Sequence, residues 1–382
     1  MRRFSIMPFC DARRAGAWFF ASLLLTLGGF SIAWAQSNSV AQIGSAIGLN
    51  KENQLASADN YTAYPVLNAS AVAPLVMLVM SRDEQLFIKA YTDYTDLDGD
   101  GLIDTTYNDK FAYSGYFDSS LCYDYGSGQY KASNAATGSN RHQCNGNWSG
   151  NFLNWLTMSR LDVVRFVLYG GYRSTDTSTS TVLERANIPN DLHAWAKVYW
   201  GADVNQYTPF TQDSNKKGIS FCNATTSANG LPQLRVAQGS WTEWAATALR
   251  QCDWKETIGS PGSNNSYNDD PSSSQEGLGN KEYTVRVQVC DPSSSFRESF
   301  CQRYTNGANI SYKPVGLLQR YGEQGQMRFG LLTGSFTSPR SGGILRRNIG
   351  KFAGNGVDGG GNYQPCSAGD EVNLNDGSFC NQ

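Results

Sequence analysis

The chain has 382 residues, 40% of them hydrophobic and 12% aromatic, with 31 Lys and Arg set against 33 Asp and Glu. That is enough apolar residue for a sizeable core, while a formal net charge of −2 offers none of the basic footprint that nucleic-acid binding needs. The 39 Gly, with many Ser, Asn and Thr, point to long loops that must be anchored by something besides a core.

The first residues divide into a basic stretch, MRRFSIMPFCDARR, an apolar one, AGAWFFASLLLTLGGFSIA, and Ala33-Trp34-Ala35 ahead of Gln36. This is the order of a signal peptide with a small-x-small cleavage site; the alternative is an uncleaved anchor helix. Cleavage after Ala35 makes residues 1–35 a leader and 36–70 an N-terminal extension. The mature chain then has 27 basic and 32 acidic residues, because the leader removes four Arg and one Asp. No later apolar run approaches the ~18 residues of a membrane span, so an exported chain without a span is expected.

PLVMLVM (74–80) has the unbroken apolar character of a buried strand. It is followed by DYTDLDGDGLIDTTYND (93–109), which holds six aspartates. Like charges this close need solvent, a cation or a basic partner. In register, Asp96, Asp98 and Asp100 occupy positions 1, 3 and 5 of a D-x-D-x-D-G-x-x-D loop, where carboxylates converge if the chain turns sharply. Gly101 permits that turn, Leu102 offers a backbone carbonyl at position 7, and Asp104 stands at position 9. An all-oxygen set of this kind suits Ca²⁺. Position 12 is Tyr107 instead of the bidentate Glu of an EF-hand, so a different last ligand is needed, with Asp109 or a distant acid as options. Ile103 is apolar and is expected to dock the loop on the core. A metal-free polar turn is the alternative.

NFLNWLTMSRLDVVRFVLYGG predicts a helix over Asn151–Leu168, capped by Ser149 or Asn151 and ended at Gly170 and Gly171. Phe152, Leu153, Leu156, Val163, Val164, Val167 and Leu168 share one broad face of it. Arg160 falls inside that face, where it needs a carboxylate or carbonyls, unless its stem packs and its head reaches water. WTEWAATALRQCDW (241–254) predicts a second helix, and GSPGSNNSYNDDPSSSQEGLGN (259–280) a disordered loop. EYTVRVQVCD alternates as a strand. MRFGLLTGSF is another, with Gly330 and Gly334 allowing close backbone approach. Alternating strands and helices with large insertions imply an α/β core.

Cys10 leaves with the leader. Eight cysteines remain, an even number in an exported chain, and pairing sequence neighbours gives Cys122–Cys144, Cys222–Cys252, Cys290–Cys301 and Cys366–Cys380. Zinc is disfavoured: no Cys-x2-Cys occurs, and His142 and His193 are the only histidines. Both are expected to be solvent or packing residues. No G-x-S-x-G, H-E-x-x-H or phosphate-binding loop is present, so no catalytic residues are assigned and an enzyme is not expected.

Five segments, VMLVMSRDEQLFIKAYTDYTDLDGDGLIDTTY, SGYFDSSLCYDY, WSGNFLNWLTMSRLDVVRFVLYGG, TVLERANIPNDLHAWAKVY and KPVGLLQRYGEQGQMRFGLLTGS, make the stretch from about 70 to 350 similar to the N-terminal region of the PilY/PilC family. These are type IV pilus tip-associated adhesins and biogenesis factors. The resemblance implies a von Willebrand factor A-like α/β core over 71–382, incomplete and carrying disulfide-pinned insertions, with the family's C-terminal β-propeller and its own calcium loop absent from this chain. It also implies passage through the periplasm to the cell surface or pilus tip, association with the outer membrane, pilins or minor pilins as partners, and adhesion to a host or abiotic surface. The D-x-S-x-S adhesion motif of von Willebrand A domains is not reproduced: in MSRDEQL, Ser81 and Asp83 are out of pattern. Two other readings stand beside this one, a calcium-stabilised secreted hydrolase and a structural extracellular module.

Overall fold

In the computed structural model, Leu75–Met80 forms the first strand, β1, as its apolar run predicts. The structure describes residues 73–380 apart from 82, 189–192, 216, 226–229, 247–250, 255–280, 335–342, 351, 354–365 and 367–369. The leader, the N-terminal extension and the loop 259–280 lie outside the described residues. The protein is mixed α/β and mostly sheet, and no described helix is long and apolar enough to cross a membrane.

The largest sheet has six strands: β2 (Leu121–Gly126), β3 (Gln129–Ala135), β4 (Trp148–Ser149), β5 (Arg173–Asp176), β6 (Thr181–Glu184) and β11 (Arg286–Val289), in the order β4-β2-β3-β11-β6-β5. A four-stranded antiparallel sheet contains β7 (Trp195–Tyr199), β8 (Ile219–Thr225), β9 (Pro232–Gln238) and β10 (Lys281–Thr284), ordered β10-β9-β8-β7. The segment expected to be one strand over 282–291 is therefore two. It changes sheets at Val285, whose N–H donates to Pro232 O (2.8 Å) while its carbonyl accepts from Arg185 N (3.1 Å). Val285, Val287 and Val289 are all buried, so the period-2 pattern is correct while its partners switch.

The single helix expected over 151–168 is broken. α1 (Gly150–Thr157) is capped by Ser149, whose Oγ accepts from Phe152 N (3.3 Å). Met158 is extended, and α2 (Arg160–Tyr169) starts afresh from Ser159 with a reciprocal capping box to Asp162. The competing signal is local: Ser159 followed three residues on by Asp162 satisfies a new set of helix N–H groups. The break shifts the phase of the second half. α1 is wholly buried, but Val167, assigned to the apolar face, is 45% exposed. Arg160 is half-buried and forms no ion pair among the described residues, so the carboxylate partner considered for it is not found there. Gly170 ends α2 in the left-handed conformation (φ 82°).

The helix expected over 241–254 is a set of turns in its described part, around a fully buried Trp244. The four cysteine pairs form as sequence neighbours, Cys122–Cys144, Cys222–Cys252, Cys290–Cys301 and Cys366–Cys380. β12 (Cys301–Asn306) and β13 (Asn309–Pro314) make a hairpin that leads into the short α3 (Leu317–Gly322).

β1 belongs to a third sheet with β14 (Arg328–Gly334) and β15 (Gly343–Gly350), pairing parallel to β14. It is not buried on both faces as its composition suggests: Leu75 is 62% and Val79 73% exposed, while Val76, Leu78 and Met80 turn inward. A Cβ on Gly330 would lie 2.7 Å from Ile349 Cγ1, so this glycine is required by close approach; Gly334 has open space.

Candidate metal centre

The aspartate loop stands between two anchors, one half-buried and one buried. Its leading anchor is Asp93, which takes a positive φ of 62° so that its carboxylate turns back into the protein. There it accepts from Trp155 Nε1 (2.7 Å) and pairs with Lys197 Nζ (3.2 Å). Lys197 also donates to Tyr91 O (2.8 Å) and lies 4.1 Å from the centre of the Trp155 ring. Burial pushes its ammonium down to about 7, opposed by the Asp93 charge. The trailing anchor is Tyr107, buried in an aromatic cluster with Tyr113, Phe152, Trp155 and Tyr207, its hydroxyl accepting from Asn151 Nδ2 (2.9 Å).

Between the anchors the chain closes with Asp104 N donating to Thr95 O (3.1 Å). The turn is written by the aspartates themselves. Asp96 accepts from Gly99 N (2.8 Å) on one oxygen and from Gly101 N (2.9 Å) on the other. Asp104 accepts from Leu97 N (2.8 Å). Gly99 (φ 78°) and Gly101 (φ 88°) have open space around a built Cβ, so glycine is needed there for conformation alone.

The carboxylates of Asp96, Asp98 and Asp104 converge, with one oxygen from each lying within 4.8 Å of the others. Asp100 does not join them; its carboxylate accepts from Leu102 N (2.9 Å) at the exposed end of the turn. Leu102 and Ile103 are 72% and 62% exposed, and the residue that packs on the core is Leu97. Docking through Ile103 is thus corrected: the turn reverses the strand before position 8, so the side chain there faces water.

Asn108 is the member that sequence reasoning missed. Its Nδ2 donates to Asp98 Oδ2 (2.8 Å) and to Asp104 Oδ1 (2.6 Å). This hydrogen bond is the main reason the Asp98 carboxyl is held below its ordinary range. Asp109, one of the options for a last ligand, turns away: its Oδ2 accepts from Asn140 Nδ2 (2.8 Å), and its carbonyl accepts from the His142 ring (2.6 Å). His193 sits edge-on to Phe87, so both histidines have packing or tethering contacts.

These residues fit a hard cation. Three carboxylates supply charged oxygens, the Leu102 carbonyl lies in the same turn, and the amide of Asn108 stands between two of the acids, so its oxygen is one χ2 rotation from facing them. Ca²⁺ takes six to eight oxygens, and among the described residues no His or Cys joins this group of carboxylates.

Two family models match the chain: "PilY1 homolog, small alpha/beta domain" over residues 104–239, and "PilY1 homolog, second domain" over residues 329–382. A type IV pilus biogenesis factor PilY1 homolog of Xylella fastidiosa (strain Temecula1 / ATCC 700964) is 40% identical over 287 residues, covering 72% of this chain and 19% of that protein. A second protein of the same description and strain is 30% identical over 229 residues, 57% of this chain and 17% of its own length. The chain thus spans about a fifth of the curated relatives it matches. No solved structure matches it.

Proposed function

Because the chain belongs to the PilY1-related family, we propose that it serves type IV pilus biogenesis and adhesion as the N-terminal part of such a factor, exported after cleavage at Ala35 and stabilised by Ca²⁺. The observation that carries the pilus role is the 40% identity over 287 residues to a protein named for it. The eight paired cysteines support an oxidising compartment, the periplasm and then the cell surface or pilus tip. Partners on this reading are pilins or minor pilins and a surface receptor, with outer-membrane association, and no catalytic step is assigned.

The von Willebrand A-like part of the reading rests on the third sheet. β1 and β14 run parallel, and parallel strands usually have both faces covered by helices. The apolar outward residues Leu75, Met77 and Val79 suit such a covering.

When bound, Ca²⁺ would neutralise the converging carboxylates. Asp96, Asp98 and Asp104 would hold it with the Leu102 carbonyl, and Asn108 would complete or brace the set. The anchors at Asp93 and Tyr107 are fixed by the core, which favours a structural staple over a switch.

The test uses the full-length protein in its own host. Mechanically sheared pili are collected and probed for this chain, with N-terminal sequencing of the secreted form. Recovery with pili and a terminus at Gln36 are expected. Absence from the pilus fraction, together with normal piliation of a deletion strain, would overturn the pilus role.

A further inference from the structure

A cavity of about 380 Å³ opens between the segment 112–119, α2 and the start of α3, away from the aspartate loop. It is at the small end of ligand pockets, which run from about 300 to 1,000 Å³. Phe166, Phe300, Val167 and Leu317 give it apolar walls. Two features distinguish it from a packing gap. Arg320 lines it and is exposed, and its guanidinium makes no hydrogen bond or ion pair with any described residue. Gly115 also lines it and is buried, yet neither its N–H nor its carbonyl has a partner among the described residues. Buried backbone groups are nearly always paired, with protein or with ordered water, so these groups are available to a bound molecule that displaces solvent from the opening.

The backbone here is presented by construction. Asn151 Oδ1 accepts from Tyr113 N (2.8 Å), and Asn154 accepts from Phe117 N (3.1 Å) while donating to the carbonyls of Tyr113 (2.8 Å) and Phe117 (2.7 Å). These bonds fix both ends of the segment against buried α1 and leave Gly115 between them. A Cβ at Gly115 would lie 2.3 Å from Asn154 Oδ1, so no side chain can fill the position. The one acid in the lining, Asp118, is turned into hydrogen bonds with Ser120 N (2.9 Å) and Ser299 N (2.7 Å).

We propose that this cavity binds the C-terminal end of a partner polypeptide, the terminal carboxylate on Arg320 and the last peptide groups on Gly115. A chain end combines, within two or three residues, a carboxylate for an unpaired guanidinium, peptide groups for an unpaired backbone and small side chains for apolar walls. A longer segment would not fit the volume. The proposal does not depend on calcium.

The experiment is fluorescence anisotropy of fluorescein-labelled Gly-Ala-Val-Ala against the secreted chain, in calcium and again in EDTA. The free acid is expected to bind saturably in both. Its C-terminal amide, and the free acid on Arg320→Gln, are expected to bind at least tenfold more weakly, with Arg320→Lys intermediate because it keeps the charge but loses the planar fork. The amide of Gly-Ala-Asp-Ala separates a terminal from a side-chain carboxylate and is expected to bind as weakly as the first amide. Absence of saturable binding by the free acid, equal affinity of acid and amide, an unchanged affinity on Arg320→Gln, or tight binding of the Asp-containing amide would each overturn the proposal. Because the acid–amide comparison uses the unaltered chain, the test does not hang on the variant folding.

Discussion

Asp176 is a buried junction between three parts of the chain. With its side chain fully buried, it accepts from Arg173 Nη1 (2.9 Å), Lys313 Nζ (2.6 Å) and the backbone N–H of Phe379 (2.8 Å), tying β5, β13 and the C-terminal segment together. Arg173 also donates to Gly377 O (2.8 Å) and stacks 3.9 Å from the Phe379 ring. Asp176→Asn leaves two buried cations without their counter-charge and is expected to cost about 3–5 kcal/mol in urea unfolding. Lys131→Ala, which breaks a pair with its lysine half in water (52% exposed), should cost under about 1 kcal/mol. Equal losses would refute the hub. Glu298 gives a pH signature. Buried beside the Cys290–Cys301 disulfide, it accepts from Cys290 N (2.8 Å), and burial raises its carboxyl to about 7. The folded protein then holds a proton that the unfolded chain releases near 4.3, so this contribution is complete below about pH 4 and lost as pH rises through 7. Glu298→Gln should flatten the fall in stability between pH 4.5 and 7.5, a difference on the order of 3 kcal/mol. Parallel pH profiles of the two proteins would contradict it.

At the scale of elements, the boundaries depend on a few backbone positions. Gly170 ends α2 where a Cβ would sit 2.4 Å from Pro314 O and 2.5 Å from its carbonyl carbon. Alanine there meets both a left-handed φ, worth about 1 kcal/mol, and an overlap with backbone that cannot swing away, worth about 1–3. A thermal scan of Gly170→Ala that matches the parent would show that α2 and β13 have room to separate. The Cys222–Cys252 pair does similar service for the four-stranded sheet. Both sulfurs are fully buried in a small cluster with Trp244, and the bond ties β8 to a turn region that has no regular structure in its described part. Replacing both cysteines by alanine is expected to cost about 2–5 kcal/mol and to expose 241–254 to proteolysis first.

For the whole molecule, the Ca²⁺ reading separates residues that look equivalent in the sequence. Calcium at a hundred times its dissociation constant should add about 2.7 kcal/mol, seen as a rise in melting temperature that EDTA reverses. Asp98→Ala with Asp104→Ala should abolish that rise. Asp100→Ala should leave most of it, because the Asp100 carboxylate lies outside the converging trio. If Asp100→Ala is as damaging as the double change, the ion uses a different set; if the double change keeps the full response, the loop is not the site.

What the sequence determined by itself was whatever depends on neighbours in the chain. Cysteine neighbours paired because each encloses a short loop. Ser149 and Gly170 bounded helical structure because capping is local. β1 and β14 were readable from composition, and the turn of the aspartate loop from its spacing. Tertiary structure decided the rest, because it depends on what arrives from elsewhere. Two readings were overruled locally, the helix break by the Ser159–Asp162 box and the apolar role of Ile103 by the direction of the turn. Others needed partners from remote sequence: the change of sheet at Val285, the open face of β1, and the anchoring of Asp93 by Lys197, 104 residues away. The place of Asn108 among the carboxylates belongs here too, since no spacing rule selects it and only the folded path of 104–108 brings its amide between Asp98 and Asp104.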